Sequence, residues 1–275
     1  MIREILRPFV PRFLMNWRSK MLRAGRKRSP WELELTRLRG LPRYQVTATE
    51  MLGYKIEIPD AASFVEMQDE IFGREMFAFP CQTASPRIVD GGANIGLVCL
   101  YYKTAFPNAR VIAFEPDERI HATLVRNVRQ WGLTDVEIFP FALGAEDRTL
   151  QFMVEGSYAG RVARDGDPTH TTVRAVRLRP WLNDKVDLLK LNIEGAETDV
   201  LLDCADLLGN VGFAIVEYHS FAHEPQKLSE VLRVLRDAGF RVHVNPVRAP
   251  LRQPFKNRDI VLGMDLQLAI YAYRP

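Results

Sequence analysis

The stretch Arg87-Ile88-Val89-Asp90-Gly91-Gly92-Ala93-Asn94-Ile95-Gly96, followed by Val111-Ile112-Ala113-Phe114-Glu115-Pro116, decides the fold class of this chain. A short apolar run ending in an acid, a glycine-rich turn and an apolar helical segment together bring backbone N–H groups close to a bound ligand. Gly91, Gly92 and Gly96 carry no Cβ, so the turn can take up positive φ or admit a ligand closely. The second apolar run ends at Glu115, where a carboxylate is placed to accept both hydroxyls of a ribose. Adenosine-containing cofactors are the first candidates.

Two such cofactors compete, because Gly91 to Gly96 also fits a loose dinucleotide fingerprint with alanine at the middle glycine position. Asp90 tips the balance. A carboxylate directly before the glycines repels a pyrophosphate but suits the ammonium and sulfonium of S-adenosylmethionine.

Outward from this turn, strands and helices alternate. Strands are expected at 87–90, 110–114, 135–140, 186–193, 212–218 and 240–245, with helices at 95–105, 118–131, 197–208 and 226–238. Such alternation implies a parallel sheet covered on both faces. The final run Leu266 to Tyr273 has no helix before it and is expected to return antiparallel beside its predecessor. The alternation lapses between Thr149 and Arg179, where β-like Thr149 to Val154 and Thr171 to Leu178 flank a loop rich in Gly, Asp, Ser and Arg. That pattern predicts a β-arm or flap on the ligand side. Upstream, Tyr44 to Thr49 and Tyr54 to Ile58 predict a hairpin, and Phe64 to Phe72 a short helix.

The chain has 275 residues, 47% of them hydrophobic, enough for one substantial core. Its formal charge of +3 is unevenly spread: nine Lys and Arg side chains face only Glu4 in the first thirty residues. The remainder is slightly acidic, which argues against a nucleic-acid-gripping catalytic domain. In residues 1–30, Ile2, Ile5, Leu6, Phe9, Phe13, Trp17 and Met21 recur at mostly helical spacing among arginines, interrupted by Pro8 and Pro11. One interpretation is peripheral adsorption to an anionic membrane face. The plainer one is an arm packed on its own domain or on a second subunit. Residues 1–43 are assigned to this basic amphipathic arm, 44–80 to a cap and 81–275 to a Rossmann-like core, the last two forming a catalytic domain over 44–275. With no run long enough to span a bilayer, no signal-peptide core and only Cys81, Cys99 and Cys204, a cytoplasmic location is expected, with contact at the inner membrane face through the arm as the variant.

The combination resembles the FkbM family of class I S-adenosylmethionine-dependent methyltransferases over roughly residues 65–273. The resemblance rests on Glu70-Ile71-Phe72 with Phe77, Val89 to Gly96, Ala113 to Pro116, Phe141 to Gly144, Asp187 to Glu197, and Val216-Glu217-Tyr218-His219. It implies an α/β Rossmann-like fold: a mostly parallel seven-stranded sheet with an antiparallel last strand, here carrying a basic N-terminal helical arm. It also implies S-adenosylmethionine at the carboxyl ends of the strands, and methyl transfer to a hydroxyl of a sugar, glycolipid or secondary metabolite. One departure stands out. The family pattern Lys-x-Asp-x-Glu-Gly has Asn192 in place of aspartate, and an amide hydrogen-bonds but supplies no charge.

Methyl transfer from a sulfonium needs a positioned acceptor, exclusion of water and removal of one proton. His219, just past the expected strand 212–218, is the candidate base, with Glu194 orienting acceptor or donor. Asp90, Gly92, Asn94 and Gly96 are assigned to the methionine portion of the donor and Glu115 to the ribose. Phe141, Ala142 and Leu143 are assigned to the adenine, and Asn192 to the donor's amino group or a substrate hydroxyl. Glu217, Tyr158, Arg161 and Arg252 are the substrate-side candidates; Arg248, Arg252, Lys256 and Arg258 point to an anionic acceptor or to a solvated basic loop. No histidine shows metal-ligand spacing with a carboxylate pair, so no metal is expected. The expected partner is a small-molecule or glycan acceptor. Two rival classes are an NAD-dependent oxidoreductase and a non-catalytic donor-binding or membrane-docking module.

Overall fold

Strand β3 (Arg87–Gly91) ends at the glycine turn and lies near the middle of a seven-stranded sheet. The structure is a computed structural model that describes residues 29–153, 160–162, 170–248, 253, 255–256 and 260–274. Residues 1–28 of the expected arm, with Tyr158 and Arg252, lie outside the described residues.

The sheet also contains β4 (Arg110–Phe114), β5 (Val136–Phe139), β10 (Val186–Leu191), β11 (Val211–Phe221), β12 (Arg241–Pro246) and β13 (Met264–Tyr273). Their order is β12-β13-β11-β10-β3-β4-β5, with β11, β10, β3, β4 and β5 parallel and β13 antiparallel to both its neighbours. The central strands are apolar along nearly their whole length because helices cover both faces. One core cluster gathers Ile88, Ala113 and Leu188 with helix α3 (Leu97–Ala105) and α4 (Glu118–Gln130). The other gathers Val89, Leu189 and Val216 with α5 (Glu197–Asp203) and α6 (Leu228–Asp237).

The expected hairpin forms as β1 (Thr47–Met51) and β2 (Tyr54–Ile58), followed by α2 (Ala61–Gln68) and one π-helical turn over Asp69–Gly73. The hairpin is fixed on α4 by Asn127, whose Oδ1 accepts from Glu57 N at 2.9 Å while its Nδ2 donates to Glu57 O at 3.1 Å. Helix α1 (Pro30–Arg39), inside the span assigned to the arm, starts in a Ser29/Glu32 capping box and buries Leu38 in the first core cluster. No helix among the described residues is long and apolar enough to cross a membrane.

Between the third and fourth strands of the expected series the chain builds a second sheet, ordered β6 (Ala142–Gly144), β9 (His170–Arg177), β7 (Arg148–Met153) and β8 (Arg161–Val162). Strand β11 runs on to Phe221, so His219 lies inside the strand and not beyond it. The residues after 218, His219 and Ser220, read as lying past the strand in sequence, but β13 pairs with them as far as Phe221↔Met264, and His219 and Ser220 find side-chain partners in Glu197 and Asp265.

Candidate active site

The turn after β3 is held by its own backbone and by one carboxylate. Gly92, at φ +81, lies so close to β10 that a Cβ there would meet Asn192 O at 1.9 Å. Asn94, also left-handed at φ 48, donates its N–H to Glu115 Oε2 at 2.9 Å. Glu115 Oε1 accepts from Asp117 N at 3.0 Å. Burial pushes the Glu115 carboxyl up to about 7, against the lowering effect of these N–H donors. Gly96, at φ +92, opens α3, and a Cβ there would meet Leu124 Cδ1 at 2.7 Å. Its glycine is a packing requirement.

Asp90 behaves differently from its sequence-based assignment. It is fully buried, does not line the cavity, and pairs with Lys190 Nζ at 2.9 Å. Lys190 also donates to Gly91 O at 3.2 Å and Gly92 O at 2.7 Å. The pair approaches at ion-pair distance, but its angle gives neither Asp90 oxygen a well-formed hydrogen bond. The charge that was to attract a sulfonium is thus neutralised inside the protein, and Asp90 with Lys190 fastens the turn to β10.

A cavity of about 880 Å³ opens over the carboxyl ends of β3, β4, β10 and β11. On one side are Gly92, Asn94, Glu115, Phe141, Ala142 and Leu143; on the other are Asn192, Glu194, Glu217 and Gln267, with Glu70 and Arg74 contributed by the π-helical turn and the residue after it. Phe152 and Gly160 from the β-arm complete part of the wall.

Glu194 reaches the cavity from a strained backbone, φ 54, and is nine-tenths buried. The turn that carries it is pinned by Glu197, which accepts from Ile193 N at 2.9 Å and Gly195 N at 3.0 Å. Glu197 also meets His219 Nδ1 at 3.0 Å. The other edge of the imidazole lies 3.5 Å from Glu217 Oε1, 3.7 Å from Glu194 Oε2 and 3.1 Å from Gln267 Nε2. Burial pushes His219 down, but the charges of Glu194 and Glu197 and the hydrogen bonds to Glu197 and Glu217 outweigh it and hold the ring well above its ordinary value. Burial pushes Glu194 up to about 7 even with His219 opposing. For Glu217, burial is outweighed by His219, Lys190 and Gln267, and its value falls.

Of the residues singled out in sequence, Gly92, Asn94, Glu115, Phe141, Ala142, Leu143, Asn192, Glu194 and Glu217 share this cavity. Asp90, Gly96, Arg161 and His219 do not line it. His219 lies behind Glu194 and Glu217, where it can hold them but cannot touch a substrate. Sequence reasoning passed over Lys190, Glu197, Gln267 and Glu70 as site residues. A lysine inside an otherwise apolar strand was the available signal for the first. Nothing local marked Gln267.

Residues 90–242 match the family described as the methyltransferase FkbM domain. Methyltransferase 1 of Beauveria bassiana (strain ARSEF 2860) is 29% identical, with 57% of this chain and 79% of that protein covered. Methyltransferase sdnD of Sordaria araneosa is 29% identical, covering 51% of this chain and 70% of its own length. Among solved structures, methyltransferase FkbM from Methylobacillus flagellatus KT aligns at 15% identity and a TM-score of 0.49, covering 77% of this chain and half (50%) of that one.

Proposed function

Because this chain belongs to the FkbM methyltransferase family, we propose that it moves a methyl group from S-adenosylmethionine to a hydroxyl of a small-molecule or glycan acceptor. The observation that carries the proposal is a single cavity lined both by the glycine turn with Glu115 and by the carboxyls of Glu194 and Glu217.

The residues present suit the donor. Each Glu115 oxygen accepts one backbone N–H and keeps a lone pair for a ribose hydroxyl. Phe141, Ala142 and Leu143 offer an apolar wall for adenine. Asn192 Oδ1 is buried without a hydrogen-bond partner, an acceptor that a bound ammonium or hydroxyl would satisfy. When bound, S-adenosylmethionine supplies an electrophilic methyl carbon for in-line displacement.

Glu194 takes the acceptor's proton. Its value of about 7 sets it between acid and base at neutral pH, where a general base is most effective. The Glu197–His219 pair holds Glu194 and Glu217 in place, so His219 is a positioning residue here and not the base. Methyl transfer, not hydride transfer, is the chemistry of the family, and it displaces the nicotinamide alternative.

Calorimetric titration with S-adenosylhomocysteine and, separately, NAD tests the donor. Selective micromolar binding of S-adenosylhomocysteine that is lost on Glu115→Ala supports the proposal; binding of NAD alone overturns it.

A further inference from the structure

Hydrogen-bond donors and acceptors on the acceptor side of the cavity are unevenly committed. Lys190 is spent on Asp90 and two carbonyls. Asn192 Nδ2 and Gln267 Nε2 both donate to Glu217, at 2.9 and 2.6 Å. Arg74 is spent on Asp69 at 3.0 Å and Glu70 at 3.2 Å. The acceptors are not used up. Among the described residues Glu194 makes no hydrogen bond, only the 3.7 Å approach to His219. Glu70 has Arg74 as its one ion-pair partner among the described residues.

The charges lean the same way. Burial pushes Glu70 up to about 7, and the nearby negative charge of Glu217 adds to it. Arg39 and Arg248 also line the cavity, but both are exposed, where water and salt screen them far more than the buried carboxyls. A ligand on this side must therefore bring donors, and it is favoured if it brings positive charge.

We propose that the acceptor is an amino alcohol, its protonated amine taken up among Glu70, Glu194 and Glu217 and its neighbouring hydroxyl receiving the methyl group. This rests on the methyltransferase proposal above and names the substrate class for the same site. His219, held charged behind Glu194 and Glu217, offsets part of their charge; a neutral polyol would satisfy the hydrogen bonds and leave the remaining negative charge, that of Glu70 included, unanswered. An anionic acceptor, the class to which the basic residues 248–258 pointed in sequence, would be repelled at depth.

S-adenosylmethionine carries an ammonium of its own, so the test is made with S-adenosylhomocysteine, which bears the same group, already saturating the full-length chain. Saturation-transfer NMR then ranks three probes that share a hydroxyl: ethanolamine, ethylene glycol and glycolate. Ethanolamine is expected to bind about tenfold tighter than ethylene glycol, with no binding of glycolate. Glu70→Gln is expected to weaken ethanolamine about tenfold and leave S-adenosylhomocysteine affinity unchanged. Absence of ethanolamine binding, equal binding of the glycol, preference for glycolate, or indifference to Glu70→Gln each overturns the proposal. The wild-type ranking decides the question even if Glu70→Gln fails to fold. Failure of S-adenosylhomocysteine itself to bind strikes the donor assignment instead, which separates the two failures.

Discussion

Glu197 Oε1 lies 3.0 Å from His219 Nδ1, and neither side chain is more than 1% exposed. The same carboxylate accepts from Ile193 N and Gly195 N. One buried group therefore ties the turn that presents Glu194 to the strand that presents Glu217. Removing it as Glu197→Ala strands three donors and is expected to cost about 3 kcal/mol or more in urea unfolding. Glu197→Gln keeps one acceptor oxygen and should recover part of that loss. An alanine variant as stable as wild type would show that the tie is dispensable.

Gly92 is a steric requirement as well as a conformational one. Alanine there combines φ +81 with a Cβ 1.9 Å from Asn192 O, so β3 and β10 must separate at the cavity floor. Gly92→Ala is expected to lose about 2 kcal/mol or more of stability and most S-adenosylhomocysteine affinity, read by thermal unfolding and calorimetry.

Proton linkage gives a direction for stability. Glu70, Glu115 and Glu194 are each raised to about 7 from 4.5, so the folded chain holds protons that the unfolded chain has released between those values. Stability from these groups is highest below about pH 4.5 and falls as pH rises to about 7. Glu115→Gln removes one share, worth roughly 3 kcal/mol across that window. Urea midpoints measured from pH 5 to 8 should show a shallower decline in the variant.

Asn192 has a local explanation. Its Nδ2 donates to Glu217 Oε2 at 2.9 Å, and aspartate in its place would set two carboxylates against each other in a buried site. Asn192→Asp is expected to destabilise the chain by about 1–3 kcal/mol at pH 8 and by less at pH 5, where the pair can share a proton. Equal unfolding midpoints of variant and wild type at pH 8 would refute this.

The base assignment predicts a kinetic signature. Glu194→Gln should lower kcat by about 100-fold or more with little change in S-adenosylhomocysteine affinity. In the wild type, kcat/KM should rise through pH of about 7 as Glu194 ionises.

Much of the fold was legible because its signals are local. Glycines that need positive φ, an apolar strand ending in Glu115 and the change from strand to helix periodicity are all written within a few consecutive residues. They led to the parallel sheet, the antiparallel return of Leu266 to Tyr273 and the glycine-turn side of the cavity. The strand end at 218 was misjudged because polarity stood for loop where an antiparallel partner in fact continued the pairing.

What only the tertiary structure decided is which charges meet. The register of β10 on β3 sets Lys190 beside Asp90, turning an expected ligand group into half of a buried ion pair. Strand pairing between β11 and β13 sets Gln267 opposite His219, and the turn before α5 brings Glu197 to the same ring. These partners are far apart in the chain, and electrostatics and hydrogen bonding act through distance and burial, which residue spacing alone does not encode. The sequence by itself determined a glycine-turn α/β fold with a carboxylate at the second strand; packing determined which of its many acids line the cavity.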